Sequence, residues 1–171
     1  MNSLEPDLSK VQPWSEFLSL QLPDPLDREY GEKYYSRATD FLKTHTWCAD
    51  IKESYIGILS PKIIAVYLFR IVNRDTFGDW VWVIVGDIPP AVLPIAAGNV
   101  PAMALDAYLG EMDVWVEAVD KGRPIDDLIP VNAPPTKEYA ERLRWRLDFI
   151  GEKILMADYE DDLGYDPDEQ Q

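Results

Sequence analysis

Cysteine and histidine each occur once, as Cys48 and His45, in a chain of 171 residues. One cysteine excludes an internal disulfide and any CxxC zinc site. One histidine leaves a single imidazole for any zinc or Cys–His chemistry. Bases are also scarce: 16 Lys and Arg stand against 31 Asp and Glu, a formal net charge of −15. That sign repels phosphate backbones and anionic headgroups and attracts basic surfaces. Nucleic acid and membrane are therefore not expected as partners, and a basic protein is. No apolar run approaches the ~20 residues that span a bilayer. The opening MNSLEPDLSKVQPW has neither a basic start nor an apolar stretch, so no signal peptide is read there. A reducing, cytoplasmic setting follows. GxGxxG, Walker A, HExxH and GxSxG are missing too, which leaves nucleotide, zinc-protease and α/β-hydrolase readings without an anchor. No cofactor and no metal are expected.

What is present centres on Trp80–Asp87, WVWVIVGD. Val81 to Val85 are uninterrupted apolar residues of strand-forming type, closed by Gly86-Asp87 and Pro89-Pro90. Without in/out alternation, this run reads as a strand covered on both faces, inside a sheet and not at its edge.

The chain is long enough for one full core. Residues 1–23 read as a polar start and a strap. Trp14, Phe17 and Leu18 fall at helical spacing behind Pro13. Asp24-Pro25 opens a helix as cap and first residue, with Leu26, Tyr30, Tyr34, Ala38, Phe41 and Leu42 as its apolar stripe. Gly31 weakens that helix by roughly 1 kcal/mol relative to Ala. Ser54–Leu59 and Ile63–Val72 flank Ser60-Pro61-Lys62 as an antiparallel hairpin. Asn73–Asp79 makes a second turn into the Trp80 strand. Ala91–Ile95 is a short fourth strand or a loop, because Pro94 confines it to an edge.

A second long helix runs from about Val100 to Lys121, with Asn99 as cap and Gly122 as its stop. Leu105, Tyr108, Leu109, Met112, Val116 and Val119 share its core face, and Asp106, Asp113, Glu117 and Asp120 form an acidic ridge beside it. Ala107, Val114 and Ala118 are small or apolar on the far side, so that side is expected to touch protein as well. Thr136 caps a last helix to about Met156, with Tyr139, Ala140, Leu143, Leu147, Ile150 and Ile154 inward. Residues 158–171 carry acids and no bases, the composition of a flexible tail. The fold expected over 24–157 is a single α+β domain: an antiparallel meander of three to four strands, with an N-terminal helix and two C-terminal helices packed on it.

Each candidate site has a bland counterpart. His45 and Cys48 are a nucleophile with its base, or a helix-end imidazole and a core thiol. Asp87 at a central strand end is a pocket acid lined by Tyr67, Trp80 and Trp82, or a cap for the next turn. The run Asp158, Glu160, Asp162 resembles calcium-loop spacing but puts Leu163 where the loop needs Gly, so no calcium site is read. Trp145 and Phe149 lie one turn apart, off the core stripe and beside Arg142 and Arg146. That is the composition of a binding hot spot, unless the Trp14 strap covers it. The acidic ridge is a solvated face or an organised surface for a basic partner.

The run Trp82-Val83-Ile84-Val85-Gly86-Asp87-Ile88-Pro89, followed by a helix and Pro135-Thr136-Lys137-Glu138, resembles small acidic bacterial proteins classed as a domain family of unknown function. The resemblance covers roughly 51–155. It implies a bacterial cytoplasmic domain and brings no catalytic residues. The function expected is a non-enzymatic acidic binding protein, in concrete form an immunity or inhibitor protein against a basic toxin. Its candidate contacts are Asp106, Asp113, Glu117, Asp120, Trp145 and Phe149. The alternatives are a small enzyme or ligand-binding domain with its pocket at Asp87, and a structural homo-oligomer that buries Trp145 and Phe149.

Overall fold

Five strands make one antiparallel sheet in the computed structural model, which describes residues 4–74 and 79–164. They are β1 (Gln12–Pro13), β2 (Cys48–Ser60), β3 (Ile64–Asn73), β4 (Trp80–Gly86) and β5 (Ala91–Pro94). Their order in space is their order in the chain. The meander expected from sequence is there as β2 to β5. The fifth strand is an addition to the three or four expected: Gln12 and Pro13 pair with Ile56 and Tyr55 on the outer edge of β2. Two residues carry no strand pattern of their own, so only the long-range pairing creates β1.

β4 lies between β3 and β5, and Val81 to Val85 are all buried. The run lacks polar alternation because protein covers both its faces. Period two still sorts the side chains. Trp82 and Ile84, with Val66 and Leu68 of β3, face one core. Val81, Val83 and Val85, with Tyr67 and Phe69, face the other. β5 is an edge strand, where Pro94 costs no ladder bond. Part of the turn between β3 and β4, residues 75–78, lies outside the described residues.

One face of the sheet is covered by α1 (Trp14–Ser19) and α2 (Pro25–Lys43). The Asp24 carboxylate accepts from the Leu26 amide at 2.9 Å, and Pro25 takes the first turn. Gly31 is buried in the middle of α2. A Cβ there would stand 2.7 Å from the Phe17 ring of the strap. The Tyr67 hydroxyl donates to the Gly31 carbonyl at 2.6 Å. The glycine that weakens the helix locally is what lets strap and sheet close on it.

The other face carries α3 (Pro101–Asp120) and α4 (Lys137–Ile150). The expected stripes of both helices are buried, except that Tyr139 is only half-buried. Asn99 is not the cap of α3. Val100 holds that position without a side-chain bond, and Pro101 at the first turn has no amide to satisfy. At the other end Gly122 adopts φ 68°, with the Arg123 amide donating to Ala118 and that of Gly122 to Val119, a Schellman closure. Thr136 caps α4 as expected, accepting from the Tyr139 amide at 3.2 Å.

α4 continues through a π-helical turn, Gly151–Leu155, into α5 (Met156–Tyr159) and a 3₁₀ turn, Glu160–Leu163. The wider turn lets the adjacent residues Ile154 and Leu155 both reach the core. Asp158 to Gly164, expected as part of a tail, thus follow the body closely. Tyr159 and Leu163 pack on the core, and Lys10 pairs with Asp162 at 2.9 Å. Residues 165–171 lie outside the described residues. Among the described residues, no helix is long and apolar enough to cross a membrane.

Candidate partner-binding face

The buried stripe of α4, Ala140, Leu143, Leu147 and Ile150, fixes which way its other residues point. Trp145 and Phe149 fall outside the stripe and emerge 77% and 41% exposed. The strap does not cover them. Trp14 stacks on Tyr35 with ring centroids 4.1 Å apart, and Phe17 is buried in the α2-side core. An exposed Trp with a ring neighbour is unusual on a folded domain, where single apolar residues are ordinary but clustered rings mark contact sites.

The two rings form a ridge between two hollows. One, of about 160 Å³, is lined by Lys62, Ile63, Asp87, Ile88, Trp145, Arg146, Phe149 and Ile150. The other, of about 280 Å³, is lined by Trp145, Asp148, Phe149, Glu152 and Lys153. The far wall of the first hollow is made where β3 begins and β4 ends. Gly86 has φ 152°, and a Cβ there would lie 2.2 Å from the Ile63 carbonyl oxygen. Only glycine lets the chain close so tightly that the Asp87 amide donates to Ile63 at 2.9 Å.

The Asp87 carboxylate is exposed and accepts from Arg146 Nε at 3.0 Å. It holds α4 to the end of β4 and does not cap the following turn. An exposed pair of this kind contributes at most about 1 kcal/mol. Tyr67, Trp80 and Trp82 do not join Asp87, so the pocket expected from those four residues does not form. The Tyr67 hydroxyl is committed to Gly31 on the α2 side, and burial pushes its pKa well above the usual phenol range. Trp82 is buried on the opposite face and donates Nε1–H to the Gly98 carbonyl at 2.8 Å. Trp80 sits at the far end of β4 beneath the Arg70 guanidinium. Strand parity carried this signal: Tyr67 is paired with Val83 and shares its face, the one opposite Trp82.

The acidic ridge is exposed along α3, where Asp106, Glu111, Asp113, Glu117 and Asp120 occur without a single base. Its C-terminal end is partly neutralised. Glu117 pairs with Lys121, and Asp120 with Arg144 at 3.4 Å. Asp113 has no ion pair among the described residues. Partial burial, then the neighbouring Asp148 of α4, hold its carboxyl above the ordinary range. The ridge therefore extends onto α4. The side of α3 expected to be dry is only partly so: Ala118 is buried, but Val114 is 50% exposed and Gly110 faces open space.

His45 takes the helix-end reading, while Cys48 is not a core thiol but a half-buried one at the start of β2, packed against the α2-side core. His45 Nδ1 lies 3.0 Å from the Phe41 carbonyl and 3.3 Å from that of Leu42, at the end of α2. The Cys48 thiol is 4.0 Å from the Asp50 carbonyl, and burial raises its pKa, the opposite of an activated nucleophile. Among the described residues, no three His, Cys, Asp or Glu side chains are grouped to hold a metal ion. Compared with family models, curated proteins and solved structures, the chain matches none of them, so the likeness of Trp82–Pro89 to an acidic bacterial family carries no weight in the functional reading.

Proposed function

We propose that the protein is a non-enzymatic binding protein that docks a basic partner protein on the outer face of α4 and the adjoining ridge of α3. The observation that carries this reading is Trp145, 77% exposed on a well-packed helix beside Phe149. Rings held out on a rigid element supply contact area at little entropic cost. Asp148 and Glu152 beside the rings, with Asp106, Asp113 and Glu117 along α3, favour encounter with positive charge, as does the net charge of −15. An immunity or inhibitor protein that neutralises a basic toxin is its concrete form. A catalytic pocket at Asp87 is less well supported, because that carboxylate is exposed and already engaged by Arg146.

The test places a photo-crosslinking benzoylphenylalanine at Lys153, which lines the second hollow, and at Lys33 on α2 as a control. In host cells, position 153 is expected to capture a basic protein that position 33 does not, and Trp145→Ala is expected to abolish the capture. Capture of acidic proteins, or of the same species at both positions, refutes the proposal.

A further inference from the structure

Resting on that docking reading, we infer that the two flanks of the Trp145–Phe149 ridge read different side chains of the partner. The first hollow takes an apolar group of single-ring size, and the second takes a lysine or arginine next to it in the partner's chain. The first hollow is lined by Ile63, Ile88 and Ile150 beside the two rings. Its volume of about 160 Å³ matches the scale of a cavity that holds one benzene ring, ~150 Å³. Its rim is wrong for a cation. Lys62 has no ion pair among the described residues, and Asp87 is engaged by Arg146, so two bases face one acid.

The balance reverses across the ridge. Asp148 and Glu152 have no ion pair among the described residues and outnumber Lys153 in the second hollow. A guanidinium or ammonium there also lies beside Trp145, whose indole can offer a cation–π contact. Because both hollows share Trp145 and Phe149, one short segment with neighbouring apolar and basic side chains fills both. The same charges reject the reversed placement and reject an apolar–acidic pair, which is how the face would select its partner.

The test uses three capped dipeptides, Phe-Arg, Phe-Glu and Ala-Arg, titrated against the full chain and followed by NMR at the Trp145 indole and the Ile63 and Ile88 amides. Trp145→Phe assigns the indole signal. Phe-Arg is expected to shift all three signals and to bind at least about threefold more tightly than Phe-Glu. Ala-Arg is expected to move Trp145 but leave Ile63 and Ile88 in place. Asp148→Lys with Glu152→Lys is expected to remove the preference for Phe-Arg, and Ile88→Trp, which fills the first hollow, to silence Ile63. Equal affinity for Phe-Arg and Phe-Glu, or shifts confined to residues away from the ridge, overturns the inference. A basic protein still captured at position 153 in that event leaves the docking face standing and removes only the division of labour between its flanks.

Discussion

The two helical layers on either side of the sheet solve the same packing problem with opposite surfaces. On one side α2 balances Asp27, Glu29, Glu32 and Asp40 with Arg28, Lys33, Arg37 and Lys43, and its Tyr35 ring is stacked on Trp14 of the strap. On the other side α3 carries acids alone, and α4 leaves Trp145 and Phe149 uncovered. Burial explains both inner faces equally well. The second layer sets two aromatic rings and unbalanced charge on the outside, where packing of the core does not require them. The difference separates surface that the fold requires from surface that it does not.

The sharpest way to break that comparison is to remove a ring from each layer. Phe17→Ala empties a buried site against Gly31 and is expected to cost about 3 kcal/mol, lowering the thermal midpoint by roughly 10 °C. An unchanged midpoint would mean that the strap is not part of the core. A smaller effect is expected at Asp113. Its native carboxyl titrates above the usual 3.8, so it binds a proton more tightly folded than unfolded. Its penalty is absent below the unfolded value, grows as pH rises through the window above 3.8, and is complete once the native group has ionised. Asp113→Asn should therefore raise the midpoint at neutral pH by the equivalent of less than about 1 kcal/mol, and not at all near pH 3. A gain that persists in acid would remove electrostatics as its cause. Smallest of all, Trp145→Ala should move stability by no more than about 0.5 kcal/mol in urea denaturation. A loss the size of Phe17's would make Trp145 a structural residue and erase the contrast between the layers.

Much of this was legible where local chemistry decides the outcome. Asp24-Pro25 and Thr136 announced their helices because a cap acts within one turn. The Trp80 strand could be placed inside the sheet because five apolar residues without alternation need cover on both faces. What escaped depends on distant partners. β1 exists only because β2 offers its edge, and the wide turn at Gly151–Leu155 has no propensity signature. Asn99 was plausible as a cap, yet Pro101 had already removed one of the two amides that such a cap would serve. At the site, the phase of Trp145 and Phe149 on the helix put them off the core stripe but left open whether the strap covers them, which depends on where Trp14 and Phe17 dock. Their meeting with Asp87 was not legible, since Arg146 brings together residues 59 apart in sequence.

β2 runs for thirteen residues, yet β1 shields it only at Tyr55 and Ile56. A flank that long invites a neighbouring molecule to add a strand, the first step toward fibrils. Here the ladder to β3 slips at three places, and Asp50, Lys52 and Glu53 punctuate the exposed stretch. Irregular pitch and alternating charge deny an incoming chain a continuous template. A concentrated solution of this protein should stay clear and dispersed, although the first half of β2 has no strand beside it on that flank among the described residues.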